Sequence, residues 1–462
     1  MKIALIPIDN RPVCYNLPME IANIDKEIEL LLPNKKLLGG LKTIANIESL
    51  LNWLEKIEQV DAIVVSLDTI VYGGLIPSRR SKELLKDIAP KLERIEKILR
   101  KFKKVYAFSS IMRISNNNVN EEEKEYWSEY GTQIFEYSYN FHKTGIDTTE
   151  VPQDILNDYL ATRYRNFAIN KKYLEWAETG IFEKIIFSKD DCSEHGLNVF
   201  ESEILNKIIK EKNLPAIIKT GADEIPISLM ARAICDYNKQ APKISAKFLA
   251  PAYKALISNY EDISIEKSTL EQIKLAGANI VSEDSSDILL LLNNFEEFQG
   301  EIVMDIRTKY FSGKLDLPQK PFMVADVRFS NGADNRFIAE LFRKKPDFKY
   351  FYGYSGWNTS ANTLGSLICS GIVRFFAKEY DEESFKKLQM VRLLDDWGYQ
   401  ANVRQTLKGR SNIDKRIRPD VRKLKKLMQP FERKVQKILG ITPKIRYSFP
   451  WKRFFEVEIR IR

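Results

Sequence analysis

Apolar runs rich in Ile and Val alternate along this chain with longer stretches whose apolar residues recur every three to four positions. Parallel strands joined by helical crossovers produce that order. The runs predict strands near 2–8, 27–32, 61–67, 104–111, 184–188, 215–220 and 244–249, and a second series near 278–281, 287–292, 322–327 and 349–354. The amphipathic stretches predict helices at about 44–58, 81–101, 121–140, 152–178, 197–212, 225–238, 266–275, 334–344 and 360–378. Periodicity lapses between Pro251 and Ser264 and a fresh strand–helix series follows, so the domains are expected at 1–255 and 256–383. From 384 to 462 the pattern is helical. There Val421, Leu424, Met428, Phe431, Val435 and Ile438 fall three or four apart with Lys and Arg opposite them, which predicts a helix packed on one face. Phe455, Val457, Ile459 and Ile461 alternate with charged residues and predict a closing edge strand. The expected fold is α/β, with largely parallel sheets and helical crossovers in two lobes, plus a basic helical C-terminal region.

Composition narrows the class. At 462 residues, 44% hydrophobic and 29% charged, the chain sits in the ordinary globular range and is long enough for two cores. The apolar stretch Ile3–Ile8 is too short for a signal peptide and runs into Asp9-Asn10-Arg11, and no later run approaches the roughly 20 apolar residues of a membrane span. A cytoplasmic protein without membrane insertion is expected. The cysteines Cys14, Cys192, Cys235 and Cys369 are scattered, which fits reduced thiols, and with only His142 and His195 a His-rich metal site is excluded. The net charge of +9 is uneven: between Arg404 and Arg453, 17 Lys and Arg face Asp414, Asp420 and Glu432, a net +14, leaving about −5 for the rest.

The candidate chemistry lies where predicted strands end, because ligands of α/β sheets bind beyond the carboxyl ends of the strands. Asp9, Asn10 and Arg11 follow the first strand; Asp68 follows the third and leads to Tyr72-Gly73-Gly74 and Arg79; Arg113 follows the fourth. Asp190 and Asp191 stand after the fifth, Asp223 and Glu224 after the sixth. The later series repeats the habit with Asn293-Asn294, with Asp326, Asn331 and Asp334, and with Trp357, Asn358 and Asn362. Asp223 and Asp334, each just before a helix, serve equally well as helix caps. Two carboxylates across a cleft suit acid–base or acid–nucleophile work in glycoside cleavage. Trp357 with Asn358 and Asn362 has the makeup of a sugar platform, and the arginines suit polyhydroxyl or anionic substrates. No G-x-G-x-x-G, G-x-x-x-x-G-K-[ST] or G-x-S-x-G occurs, so no nucleotide cofactor and no serine nucleophile is expected. A divalent metal on these oxygen ligands is an open alternative.

Ile8-Asp-Asn-Arg-Pro12, Tyr72-Gly-Gly-Leu-Ile-Pro-Ser-Arg79, Asp190-Asp191 with Gly196, Gly221-Ala-Asp-Glu224, Asn331-Gly-Ala-Asp334, Gly356-Trp-Asn-Thr359 with Asn362, Asp395-Asp-Trp-Gly-Tyr-Gln400 and Pro450-Trp451 with Phe455-Glu456 together resemble a bacterial family catalogued as domain-of-unknown-function family 4127. The resemblance implies one family unit spanning nearly the whole chain, and it implies no reaction. It draws Asp395, Asp396, Gln400 and Arg404 into the candidate set, with Asp396, Gln400 and Arg404 expected on one helix face. The leading expectation is a cofactor-independent, glycosidase-like hydrolase of a small sugar or polar metabolite. Asp191 and Asp223 stand first for catalysis, followed by Asp190 and Asp68. Asp9, Asn10, Arg11, Arg79, Arg113, Glu224, Asp326, Asn331, Asp334, Trp357, Asn358, Asn362, Asp396 and Gln400 stand for substrate binding, with no metal ligand assigned. The alternatives are a non-catalytic metabolite-binding protein and, with less in the sequence to favour it, attachment of the basic tail to nucleic acid or another anionic surface.

Overall fold

The structure, a computed structural model, describes residues 1–189, 193–409 and 418–462. It is α/β, and the chain divides into two compact units.

The first unit comprises Met1–Tyr15, Leu30–Leu229 and Tyr260–Asp262. Its sheet is built from β1 (Lys2–Ile6), β2 (Glu29–Leu31), β3 (Ala62–Ser66), β4 (Val105–Ile111), β5 (Lys184–Lys189) and β6 (Ala216–Thr220), in the order β2-β1-β3-β4-β5-β6. The pairings from β1 through β3, β4 and β5 to β6 are parallel. Ile3, Ala4, Leu5 and Ile6 are all fully buried, which is why this strand reads as an unbroken apolar run: a parallel sheet is covered on both faces. The cover comes from α1 (Pro12–Ala22), α2 (Ile47–Glu55), α3 (Leu67–Tyr72), α4 (Leu75–Arg80), α5 (Leu85–Leu99), α6 (Trp127–Thr144), α7 (Gln153–Glu178), α8 (Leu197–Glu211) and α9 (Ile225–Asn238); α1 and α9 run on into the second unit. Helix α5 shows how the pattern works, with Ile88, Leu92, Ile95, Ile98 and Leu99 buried on one stripe and lysines and glutamates elsewhere.

The second unit comprises Asn16–Glu29, Met230–Asn259 and Ile263–Arg462. Its main sheet contains β7 (Lys243–Phe248), β8 (Asn279–Ile280) and β9 (Ile288–Asn293), then, past the short β10 (Gly300–Glu301), β11 (Phe322–Asp326), and, past the short β12 (Phe329–Ser330), β13 (Phe351–Ser355). The order is β13-β11-β9-β7-β8 with every pairing parallel, and β10 pairs with β12 separately. Numbered from its own first strand this sheet has the order 2-1-3-4-5, the order of the first five strands in the first unit. In both, the chain leaves its first strand in one direction and its third in the other, so a crevice opens at their carboxyl ends.

Helices α10 (Ile265–Leu275), α11 (Asn335–Arg343), α12 (Ser360–Phe376) and α13 (Glu382–Arg392) belong to this unit. After α13 the backbone becomes π-helical over Leu393–Val403 and continues through α14 (Arg404–Lys408). Helix α15 (Val421–Leu439) buries Leu424, Met428, Val435 and Leu439, with Phe431 edge-on to Trp397 of the π-helical segment at 5.2 Å. Gly398 permits that approach, since a Cβ there would lie 2.9 Å from the Met428 methyl. The chain closes with β14 (Ile445–Ser448) antiparallel to β15 (Glu458–Ile461). No helix among the described residues is long and apolar enough to cross a membrane.

Four helices depart from the sequence expectations. Helices α1, α3 and α4 were not predicted, because Pro12, Pro18, Gly73, Gly74 and Pro77 mark their sequences as turns. Their tertiary packing outweighs propensity, and α3 is also capped by Ser66. The helix expected from 121 starts only at Trp127, leaving Glu122 and Glu123 in the preceding loop.

Candidate functional site

In the first unit the chain leaves β1 through Pro7-Ile8-Asp9 and enters α1 at Pro12, whose fixed backbone angle suits a first helical position. Asp9 folds back on Arg11: its two carboxylate oxygens accept from the Arg11 backbone N–H and from Nε, each at 2.8 Å. The remaining guanidinium nitrogens donate to both oxygens of Asp223, Nη1 at 3.0 Å and Nη2 at 2.6 Å. This is the two-pronged arginine–carboxylate geometry, which combines charge with fixed orientation. Asp9, Arg11 and Asp223 are all buried.

Asp223 follows β6, and β3, β4 and β5 lie between β6 and β1. Four strand spacings come to roughly 19 Å. The loops after the first and sixth strands therefore arch toward each other over the carboxyl ends of the strands between them. One cation faces two carboxylates in this arch. Burial pushes the Asp9 carboxyl up, Arg11 opposes this, and Asp223 reinforces it. Cys14, one helical turn along, sits 3.8 Å from Asp223 and is raised well above an ordinary thiol by burial and by Asp9 and Asp223. A proton held that firmly makes Cys14 a poor nucleophile.

Asp68 is the second residue of α3, directly after β3, the strand next to β1. Ser66 caps that helix, and the Thr69 hydroxyl lies 2.8 and 2.9 Å from the carbonyls of Pro7 and Ile8, which ties the loops after β1 and β3 together at the crevice. The Asp68 carboxylate accepts from the Ser110 N–H at 2.8 Å. Burial raises its pKa to about 7, against the pull of Ser110 and Arg79. Helix α3 ends at Gly73 in the left-handed conformation (φ 86°), where a Cβ would fall 2.2 Å from Ile44 Cγ2 and 3.0 Å from the Ala45 backbone nitrogen. Gly145 ends α6 in the same conformation, and there an added methyl would meet nothing within 4 Å. Gly73→Ala is accordingly expected to lose roughly 2–3 kcal/mol and Gly145→Ala about 1 kcal/mol in urea denaturation. Equal losses would show that the Ile44 contact yields without cost.

Arg79 and Arg113 both face acids, although Nε and Nη2 of the buried Arg79 have no hydrogen-bond partner among the described residues. Arg79 is buried 3.1 Å from Glu123, and Arg113 donates to Glu123 at 3.0 Å and to Glu122 at 3.1 Å, so two arginines and two glutamates lie together. Glu122 and Glu123 were not among the sequence candidates; the acidic run Glu121–Glu123 beside two arginine-bearing loops is the signal that pointed to them. Glu224 accepts from the Ala222 N–H at 3.2 Å and its carboxyl fills the space a Gly221 side chain would need, with burial raising its pKa to about 7. Asn10 donates its backbone N–H to Gly39. Asp262 was also missed: it accepts from Lys189 at 2.7 Å and Thr220 at 2.5 Å, beyond β5 and β6, and its aperiodic surroundings carry no local signal. Asp191, placed first for catalysis with Asp223, and Asp190, placed after them, lie outside the described residues, as does Cys192.

The second unit gathers its own candidates. Asp326 ends β11 fully buried and accepts from Asn293 at 2.8 Å, from the Asp334 N–H at 2.8 Å and from the Tyr354 hydroxyl at 3.1 Å. Burial and the neighbouring Asp334 raise its pKa to about 7. Asp334 caps α11 through the N–H groups of Arg336 and Phe337 and also accepts from Phe311, so its helix-cap reading holds. Asn294 both donates to and accepts from Ala250, bridging the loops after β7 and β9. Asn331 donates to Glu301 at 2.7 Å and its backbone N–H reaches the Asn358 carbonyl at 2.8 Å; both asparagines have positive φ, which their type tolerates. Trp357 is 4% exposed, and Asn362 donates to the capping Thr359.

The π-helical segment corrects the expected face of Asp396, Gln400 and Arg404. Gln400 donates to Asp395 at 3.1 Å, five residues back, and accepts from Arg404 at 3.0 Å. The wider turn brings residues five apart together, so Asp395 replaces Asp396 in that row. Asp396 instead accepts from the Gly356 N–H at 2.8 Å with Arg392 at 3.6 Å. Among the described residues, no group of three or more His, Cys, Asp or Glu side chains is arranged to hold a metal ion.

Fold and site define a class: a parallel α/β protein of two units, the first carrying a buried carboxylate–guanidinium–carboxylate cluster at the crevice of its sheet. The profile of a family described as "Protein of unknown function (DUF4127)" matches residues 3–460, and the chain belongs to that family. No curated protein and no solved structure matches it.

Proposed function

We propose that the protein is a hydrolase of a small sugar or other polar metabolite, using carboxyl groups of the first unit for acid–base chemistry. The observation that carries this reading is the arch of Asp9, Arg11 and Asp223 over the strand ends with Asp68 at the adjoining crevice. A carboxyl with a pKa of about 7 is suited to give and take a proton near neutrality, so Asp68 is assigned the acid–base role. Asp223, held by two guanidinium N–H groups, is assigned the role of the second carboxyl group, which supports positive charge or orients a water. Asp9 and Arg11, which hold Asp223 in place, are assigned the role of orienting the substrate beside it. The buried thiols of Cys14, Cys235 and Cys369 are all unpaired, which supports a reducing, cytoplasmic setting.

One observation favours a second reading, metabolite binding without turnover: both prongs of Arg11 are already engaged by Asp223 and its Nε by Asp9. Incubating the full chain with a panel of aryl glycosides and disaccharides between about pH 6 and 8 separates the two. The hydrolase predicts product whose rate falls on the order of 10²–10⁴-fold in Asp223→Asn. Calorimetric sugar binding without product from any of them would favour the binder.

A further inference from the structure

Helix α15 carries seven cations, Arg422, Lys423, Lys425, Lys426, Arg433, Lys434 and Lys437, and all seven are exposed. At 100° per residue they occupy one half of the helix surface, while the buried Leu424, Met428, Val435 and Leu439 occupy the other. Several surface cations elsewhere have partners: Arg94 meets Glu48 and Glu55, Lys212 meets Glu178, and Lys386 and Lys387 of α13 each meet a glutamate four residues back. Among the described residues none of the seven on α15 is within ion-pair distance of a carboxylate, and Lys434 rests over the Trp397 ring. Glu432, the one acid of the helix, lies half-buried beside Tyr447. Instead like charges stand three and four apart, Arg422 with Lys425 and Lys426, Lys423 with Lys426, and Arg433 with Lys437, an arrangement that repels itself.

We propose that this face of α15 binds the phosphate backbone of duplex nucleic acid, a function separate from the hydrolase reading. A polyanion removes the mutual repulsion, and the row from Arg422 to Lys437 extends about 22 Å, enough to meet several successive phosphates. A lipid surface is the poorer fit. A membrane-lying helix inserts its apolar face, and here that face is packed against the π-helical segment. Contacts to phosphate alone make the binding independent of base sequence.

The test is fluorescence anisotropy of the full chain with a labelled random duplex of about 20 base pairs at about 50 to 200 mM NaCl. With four phosphates neutralised, affinity falls about 100-fold across that range. Lys423→Glu/Lys426→Glu/Arg433→Glu/Lys437→Glu is expected to weaken binding at least about 100-fold at the lower salt, and the same four positions changed to Gln at least about 10-fold, which keeps the test intact should the Glu variant fail to fold. The proposal is overturned by absence of binding at the lower salt, by a Gln variant that binds like the parent, or by tighter binding to phosphatidylserine vesicles than to the duplex.

Discussion

Replacing Asp68 with Asn is expected to stabilise the protein at pH 8 while removing turnover. The Asp68 carboxyl is buried and its pKa is raised to about 7, chiefly by loss of solvation, whereas in the unfolded chain it returns to its ordinary value of 3.8. Between those two values the folded state binds the proton and the unfolded state does not. Stability from this group is therefore fully present below pH 3.8 and is lost as pH rises through about 7. The loss integrates to roughly 4 kcal/mol. Asn is neutral at every pH, and its carbonyl can still accept from the Ser110 N–H that Asp68 now engages. Urea denaturation should then find parent and variant alike near pH 4 and the variant more stable by up to about 4 kcal/mol at pH 8. Glu201, Glu224, Asp326 and Asp395 are raised to about 7 in the same way, so the parent itself should lose stability between pH 5 and 8 and the variant should lose less. A site that keeps an unstable carboxyl for its chemistry predicts this exchange of activity for stability. A variant equally destabilised at both pH values would show that Asp68 is a structural acceptor and nothing more.

The second large effect is expected at Arg11. Among the described residues its guanidinium is the one cation bonded to Asp9 and Asp223, and all three side chains are about one-tenth exposed. Arg11→Met keeps much of the side-chain volume and leaves two carboxylates facing each other out of water. Removing one partner from a buried ion pair costs about 3–5 kcal/mol. The loss should shrink as pH falls, because burial already raises the Asp9 carboxyl and favours its taking up a proton. Arg11→Lys should not restore the parent, because an ammonium cannot engage both oxygens of Asp223 while donating to Asp9. Adding Asp223→Asn to Arg11→Met should recover more than half the loss, since it removes the uncompensated charge. The measurement is a double-mutant cycle in denaturant. Additive effects at Arg11 and Asp223 would mean that their 2.6 Å contact contributes no net coupling.

The alternation of apolar runs and amphipathic stretches determined the fold class and nearly every strand of both main sheets, because a strand buried on both faces must be apolar throughout and a crossover helix must be apolar on one stripe. It also determined that polar residues cluster after the strands. The sequence could not decide which of them meet. Arg11 and Asp223 stand 212 positions apart and pair only because the sheet order brings the loops after β1 and β6 over the same strand ends. Arg79 and Arg113 look unattached in the sequence and are met by Glu122 and Glu123, since the helix that was expected to absorb those glutamates begins later. Asp334 and Asp223 look alike before their helices, yet one caps α11 and the other faces a guanidinium. The row of Gln400, Arg404 and Asp395 depends on a π-helical turn that no local pattern marks. Hydrophobic periodicity is a local property and so is legible residue by residue. Pairing of buried charges is long-range, and only the closed tertiary structure, which removes water from between them, selects the partners.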